Sequence, residues 1–141
     1  YADGIGYGES KTQASYVNKQ ASAIAGVDLL RASKEFACEN DIQLNEQIFT
    51  TGYSAGGYGT MAFHQVIDEE YSDEFTITAN APLAGPYALD QMAKRIFGDN
   101  IYSQPYYLGF ALWGYVLATG DNEALNRWVN PNYRNPISYW K

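Results

Sequence analysis

The sequence is short of the residues that build disulfides, cysteine-based metal sites and membrane spans. It has a single cysteine, Cys38, which excludes an internal disulfide and a metal site made of several cysteines. No stretch approaches the roughly 20 apolar residues that a membrane-spanning helix needs. What is left is a chain of 141 residues with 46% hydrophobic content, which predicts one globular domain or a part of one.

Positive charge is also scarce. The chain has 9 basic and 16 acidic residues, so its formal net charge is −7. A protein that binds a phosphate backbone needs a basic surface, and we therefore expect no nucleic acid partner. Charged residues make up 18% of the chain, below the typical value of about 25%, which favours a core-forming sequence.

The stretch that organises the chain is 51–59, which reads Thr-Gly-Tyr-Ser-Ala-Gly-Gly-Tyr-Gly. An apolar segment at 47–52 predicts a short strand before it, and the spacing of 56–70 predicts a helix after it. The motif G-x-S-x-G between a strand and a helix is the pattern of a nucleophile elbow, a sharp turn that exposes a serine hydroxyl above a sheet.

This pattern assigns a role to each residue of the turn. Ser54 is the predicted nucleophile, and the backbone N–H of Ala55 is the predicted donor to a developing oxyanion at the positive end of the helix. Gly52, Tyr53 and Gly56 form the elbow, where the glycines avoid collisions with neighbouring backbone. The alternative is a glycine-rich loop in which Ser54 only caps the helix.

The remaining pattern up to residue 89 predicts a parallel sheet covered by helices. A long helix is expected over 16–38, packed on the sheet through a stripe formed by Ala21, Ala25, Leu29, Ala32 and Phe36. A second strand is expected at 75–81 and ends at Pro82. Since a helix connects the two strands, they should be parallel neighbours. Ligands bind at the carboxyl ends of such strands, where Ser54 and the loop 82–87 with Tyr87 would meet.

Beyond residue 89 the strand pattern disappears and aromatic residues become frequent. Helices are expected at 88–97, 108–118 and 122–129. We interpret 90–141 as a helical lid over the site, with Tyr107, Phe110 and Trp113 on one broad helix face toward the substrate. The same aromatics could instead form only the core of a small helical subdomain.

A serine nucleophile needs a base, and the sequence offers no good one. The only histidine, His64, is expected roughly 12 Å along the helix from its N-terminus, too far from Ser54 to take its proton. Asp90 is a fallback for the triad acid, but we expect it to cap the helix at 88–97. The base and acid are therefore expected outside these 141 residues.

Three stretches together carry a family resemblance: 3–10 (Asp-Gly-Ile-Gly-Tyr-Gly-Glu-Ser), 52–57 (Gly-Tyr-Ser-Ala-Gly-Gly) and 81–89 (Ala-Pro-Leu-Ala-Gly-Pro-Tyr-Ala-Leu). In this order and spacing the chain resembles the secreted lipase and esterase branch of the α/β-hydrolases, including bacterial secretory lipase-like enzymes. The family often has His-Pro-Tyr before its long helix, where this chain reads Ala14-Ser15-Tyr16.

The resemblance implies a partial α/β-hydrolase fold, with the central part of the core at 1–89 and an incomplete helical lid at 90–141. It implies a Ser-His-Asp enzyme that hydrolyses small-molecule or lipid esters, outside the cell or in its envelope, with no metal or organic cofactor. We expect the chain to be an internal part of such an enzyme and to be inactive alone. The alternatives are a serine peptidase of the prolyl-oligopeptidase type and a catalytically dead binding module.

Overall fold

The computed structural model describes residues 3–9, 14–98 and 101–134. Residues 10 and 135–141, which belong to the first resemblance stretch and to the end of the predicted lid, lie outside this part. The described elements are a set of helices and two strands: α1 (Lys19–Glu39), β1 (Phe49–Tyr53), α2 (Ala55–Glu70), β2 (Ala79–Leu83), α3 (Leu89–Gly98), α4 (Tyr106–Thr119), α5 (Ala124–Trp128) and a 3₁₀ turn (Pro131–Tyr133).

The two strands are parallel neighbours, as predicted, and α2 is the helix that connects them. The register pairs Phe49 with Ala79 and Tyr53 with Leu83. The prediction that Pro82 ends the second strand is wrong, because Pro82 lies within β2 and pairs with Gly52. Proline has no N–H to donate. It therefore fits a strand where the neighbouring strand needs no donor at that position, as at the edge of a sheet.

The second strand lies later in the chain than the predicted 75–81, because β2 begins only at Ala79. Phe75 is buried in the core between α1 and α2 instead of extending the sheet. Thr78 is tied to the residue before β1, since its N–H donates to the Ile48 carbonyl (2.9 Å) and its hydroxyl accepts from the Ile48 N–H (3.1 Å). An apolar run shows that residues are buried, but not whether they are buried in a strand.

Helix α1 begins after Asn18, whose side chain accepts a hydrogen bond from the Ala21 N–H (3.0 Å). It packs mainly against α2. The prediction that it packs directly on the sheet is wrong. The predicted buried stripe is also wrong: Leu29 and Phe36 are exposed, while Ala23 and Val27 are fully buried. Both sets of residues repeat at helical spacing, so the period alone did not select the face.

The core lies between α1 and α2. Its fully buried large side chains are Val27, Val66 and Ile67, with Phe63 and Phe75 beside them. Burial of this apolar surface holds α1 and α2 together and so supports the turn at the N-terminus of α2.

The helices predicted beyond residue 88 are all present within two residues of the predicted bounds. A second, smaller cluster of buried side chains, Trp113, Val116 and Ala124, joins α4 to α5. Within the described ranges, no helix has both the length and the apolar content needed to cross a membrane. The predicted fold class, a partial α/β fold followed by helices, is confirmed.

Candidate active site

The turn between β1 and α2 holds Ser54 in a strained conformation. Its backbone angles are φ 54° and ψ −117°, a region that residues other than glycine rarely adopt. The Ser54 N–H donates to the Leu83 carbonyl at the end of β2 (2.9 Å), and its carbonyl accepts from the Tyr58 N–H (3.1 Å). The Ser54 side chain makes no capping hydrogen bond to α2. The serine is thus held by its backbone, while its hydroxyl does not serve as a helix cap.

Glycines allow this turn to pack closely. A Cβ on Gly52 would lie 2.2 Å from the Gly56 carbonyl oxygen, as the motif predicts. The same argument for Gly56 is wrong, because a Cβ there would meet no described atom within 4 Å apart from its chain neighbours and the backbone of its own helix. Two glycines outside the motif are more constrained: a Cβ on Gly57 would lie 2.4 Å from the Leu83 oxygen, and one on Gly85 would lie 2.6 Å from the Tyr58 nitrogen.

Ser54 borders a large cavity of about 1200 Å³. Its lining comes from Ser54 of the elbow, from 16–18, 84–86 and 102–108, from α3 and α4, and from 128–129. Among the described residues that line it, none is an aspartate, glutamate, lysine, arginine or histidine. The full lining is Tyr16, Val17, Asn18, Ser54, Ala84, Gly85, Pro86, Leu89, Met92, Ala93, Ile96, Phe97, Tyr102, Pro105, Tyr107, Leu108, Gly109, Ala111, Leu112, Gly114, Tyr115, Ala118, Trp128 and Val129.

Backbone strain is concentrated at this cavity. Among the described non-glycine residues, five have a positive φ, and three of them line the cavity: Val17 (48°), Ser54 (54°) and Ala84 (49°). The other two, Asp41 and Glu46, lie in the connection between α1 and β1. A positive φ is particularly unfavourable for a β-branched residue such as Val17. Strained backbone of this kind persists where the surrounding structure enforces it, commonly at functional sites.

The predicted substrate-binding residues do not all reach the cavity. Tyr107 lines it, so the structure brings Ser54 and α4 to the same space. Phe110 and Trp113 are not part of the lining, and Trp113 is instead buried against Val116 and Ala124. Tyr87 lies behind the elbow, where it packs against Gly57 and Gly85 and lines a separate small pocket. Of the three residues predicted to share one face of α4, Tyr107 thus lies at the cavity and Trp113 lies in the interior.

The residues considered as base and acid lie away from Ser54. His64 Nδ1 is 3.3 Å from the Asn80 amide nitrogen, and His64 Nε2 is 3.6 Å from an Asp68 carboxylate oxygen. Asp90 is in the first turn of α3 and lies 3.7 Å from the Lys94 ammonium group. Neither His64 nor Asp90 lines the cavity, and among the described residues no cluster of three metal-binding side chains is present.

Sequence reasoning missed the apolar face of α3 and the stretch before α1. Leu89, Met92 and Ile96 recur at intervals of three and four residues and all line the cavity, a signal that the sequence does contain. Tyr16 also lines it, and partial burial raises the pKa of its phenol above the ordinary value. Nothing in the sequence marks Val17 or Ala84, because their conformation depends on tertiary packing.

Comparison with known proteins places this geometry among hydrolases. A Legionella pneumophila protein provisionally classed as a hydrolase superposes with a TM-score of 0.85 and 22% identity, covering 98% of this chain and 37% of that protein. The rice cell wall degrading esterase LipA of Xanthomonas oryzae superposes with a TM-score of 0.74 and 26% identity, covering 84% and 32%. A single-residue variant of that esterase gives 0.80 and 22%, covering 95% and 36%.

No family model and no curated protein matches the chain. The chain spans about a third of the length of the solved structures to which it is similar. Those similarities cover both the sheet with its elbow and the helices beyond it, since they extend over most of the 141 residues. The chain therefore has a hydrolase-like partial α/β fold, shared with an esterase.

Proposed function

We propose that this chain is the nucleophile-bearing part of a serine carboxylesterase or lipase. Ser54 Oγ would attack the ester carbonyl, and the Ala55 N–H would donate a hydrogen bond to the oxyanion that forms. The alcohol then leaves with a proton, and water hydrolyses the acyl-serine to release the acid and restore Ser54. The general base and its orienting acid would come from outside these 141 residues, since His64 lies elsewhere on α2.

One observation carries the proposal: a strained serine that does not cap its helix borders a large cavity without charged lining. A serine that served only as a cap would bond to the first turn of α2 through its side chain. The strained turn is the arrangement that exposes a nucleophile at the end of a strand. The esterase activity of the Xanthomonas oryzae neighbour supports the same reaction class for this chain.

The cavity also supports esters over peptides. A peptidase that anchors a charged chain end needs a charged side chain in its site, and the cavity lining has none within the part of the chain that the structure describes. An apolar acyl or alkyl group gains free energy by leaving water for such a cavity, at roughly 25 cal/mol per Å² of buried surface. We therefore propose neutral, apolar esters as the substrate class.

The proposal is tested with the full-length protein that carries this chain. A fluorophosphonate probe should label Ser54, and Ser54→Ala should remove both the label and the hydrolysis of short aryl esters. Loss of a serine nucleophile in a hydrolase of this type costs about 10⁶-fold in kcat. Ser33→Ala is the matched control, because Ser33 lies on α1 and its hydroxyl is bonded to the Leu29 carbonyl (2.7 Å).

If the wild-type protein binds esters but is not labelled, the chain belongs to a binding module and not to an enzyme. Full esterase activity after Ser54→Ala would remove the nucleophile assignment. The bare 141-residue chain should remain unlabelled, because it has Ser54 but no base in reach. Labelling of the bare chain would point first to His64.

A further inference from the structure

The stretch 14–18, just before α1, connects the cavity with α4. Tyr16, Val17 and Asn18 line the same cavity as Ser54. Tyr16 is also in direct contact with α4. It therefore lies where the position of α4 relative to the nucleophile can be set.

The backbones of α4 and this stretch meet at Gly114. A Cβ placed on Gly114 would lie 2.1 Å from the Tyr16 carbonyl oxygen, 3.1 Å from its carbonyl carbon and 3.2 Å from its nitrogen. Real Cβ atoms essentially never lie within 3.0 Å of another atom, and here the obstacle is backbone, which cannot rotate away. Only glycine therefore permits α4 to approach Tyr16 at this distance.

The Tyr16 ring makes a second contact with the same helix. Its centroid is 6.3 Å from that of Tyr107 in a nearly parallel arrangement and 6.0 Å from that of Phe110. Aromatic pairs at such distances attract each other beyond the burial of their area. Tyr107 itself lines the cavity that Ser54 borders, so the Tyr16 ring contacts part of the cavity wall.

The stretch is also fixed at its other end. Asn18 caps α1 through its side chain, and α1 is packed into the core against α2. Between this cap and the contact with α4 lies Val17, held at a φ of 48°. A β-branched residue in that region is costly, so the surrounding contacts must enforce it.

From these contacts we propose that Tyr16 and Gly114 are positioning residues that set the distance of α4 from Ser54 and thereby select the acyl chain length of the substrate. This inference rests on the proposed esterase function and deepens it. Neither residue acts on the reacting bond. They hold the wall that an acyl chain would contact, so their effect depends on how much of that wall a given substrate reaches.

The experiment uses the full-length protein and p-nitrophenyl esters from acetate to laurate. Gly114→Ala must displace α4 from Tyr16, so long esters lose contacts that acetate never makes. The ratio of kcat/KM for octanoate to that for acetate should fall about tenfold, the scale of discrimination by apolar pocket contacts. Tyr16→Ala should lower the ratio similarly, and Tyr16→Phe, which keeps the ring, should restore it.

Two controls separate positioning from general damage. Gly59→Ala makes the same change in α2, where a Cβ meets no described atom within 4 Å apart from its chain neighbours and the backbone of its own helix, and should leave the ratio unchanged. Titration of Ser54 with a fluorophosphonate counts the folded active sites, so a loss of folded protein cancels from kcat/KM. An octanoate-to-acetate ratio within twofold of wild type in Gly114→Ala and Tyr16→Ala overturns the inference. Absence of labelling in the wild type would instead overturn the proposed function.

Discussion

The region up to residue 88 and the helical region at 101–134 are built in different ways. In the first, α1 and α2 enclose fully buried side chains, and Gly57 and Gly85 allow the elbow to lie close to the end of β2 and the loop after it. In the second, the buried cluster consists of only Trp113, Val116 and Ala124, and many aromatic side chains remain exposed. The two regions border the same cavity, but one is held by a packed core and the other by a few contacts.

The two regions correspond to two different requirements of a hydrolase site. The nucleophile must be positioned with little tolerance, because small displacements of reacting groups slow a reaction strongly. The wall that contacts the rest of the substrate can shift without destroying the reaction, and shifts there change which substrates fit. In the proposed esterase, a helical region held by few contacts beside a well-packed elbow would let specificity vary while the chemistry is kept.

The largest effect is expected where the elbow is tightest. Gly52→Ala would place a Cβ 2.2 Å from the Gly56 carbonyl oxygen, so the turn must move and Ser54 with it. We expect a loss of at least about 10²-fold in kcat/KM for aryl acetates, the cost of a displacement on the order of 1 Å. Steady-state kinetics of the full-length protein measure it, with Gly59→Ala as the open-space control. Retention of near wild-type activity would show that the elbow tolerates movement.

A smaller effect is expected from the core that supports the elbow. Ile67 is fully buried between α1 and α2, and Ile67→Ala should lower the free energy of unfolding by about 2–5 kcal/mol. Because this core holds α2, the loss should appear in the main cooperative transition of a urea denaturation. A transition that is unchanged would mean that α1 and α2 do not belong to the unit whose unfolding is observed.

The helical region should respond to the corresponding change more locally. Trp113→Ala removes the largest side chain of the small cluster with Val116 and Ala124. Trp113→Ala should lower the free energy of unfolding of the main transition by less than about 3 kcal/mol. It should also speed proteolytic cleavage within 101–134, since a weakly held region opens on its own. Limited proteolysis followed by mass spectrometry identifies the cut sites. Equal losses from Trp113→Ala and Ile67→Ala would show that the two regions unfold as one.

The same contrast explains what the sequence could predict. The elbow was predictable because its requirements are local: a strand, a turn that needs glycine at Gly52, and a helix. The buried face of α1 and the position of β2 were not, since Phe75 is apolar for reasons of core packing and not of strand pairing. Helix α4 has no polar face to show which side is covered, so spacing alone did not show that Tyr107 and not Trp113 faces the cavity.

The strained residues around Ser54 could not be inferred from sequence at all. A positive φ at Val17 or Ala84 leaves no trace in residue type, unlike one at a glycine. Gly57 and Gly85 are visible in the sequence, but their neighbours, the Leu83 oxygen and the Tyr58 nitrogen, are known only once β2 is placed beside the elbow. Contacts between distant segments decide these positions.

The smallest effect is expected at the surface between α1 and the loop after α2. Arg31 donates two hydrogen bonds to the Glu74 carboxylate, from Nε (2.9 Å) and from an amino group (2.6 Å), and these bonds lower the pKa of Glu74. A carboxyl whose pKa is lower in the folded state stabilises the fold above its unfolded pKa, and this contribution is lost as the pH falls through the folded value. Glu74→Gln should therefore lower Tm slightly at pH 7, and this difference should shrink as the pH falls through the lowered folded pKa of Glu74.

Thermal denaturation of both proteins at pH 7 and pH 3 tests this sign. Both groups are exposed, so the difference should be small and should shrink further in high salt, which screens surface charges. Glu35 is exposed on α1, the helix that carries Arg31. Glu35→Gln therefore provides the matched control, because it also removes one negative charge. A Tm difference that does not shrink between pH 7 and pH 3, or that equals the effect of Glu35→Gln at pH 7, would mean that the Arg31–Glu74 pair does not contribute to holding α1 against the loop after α2.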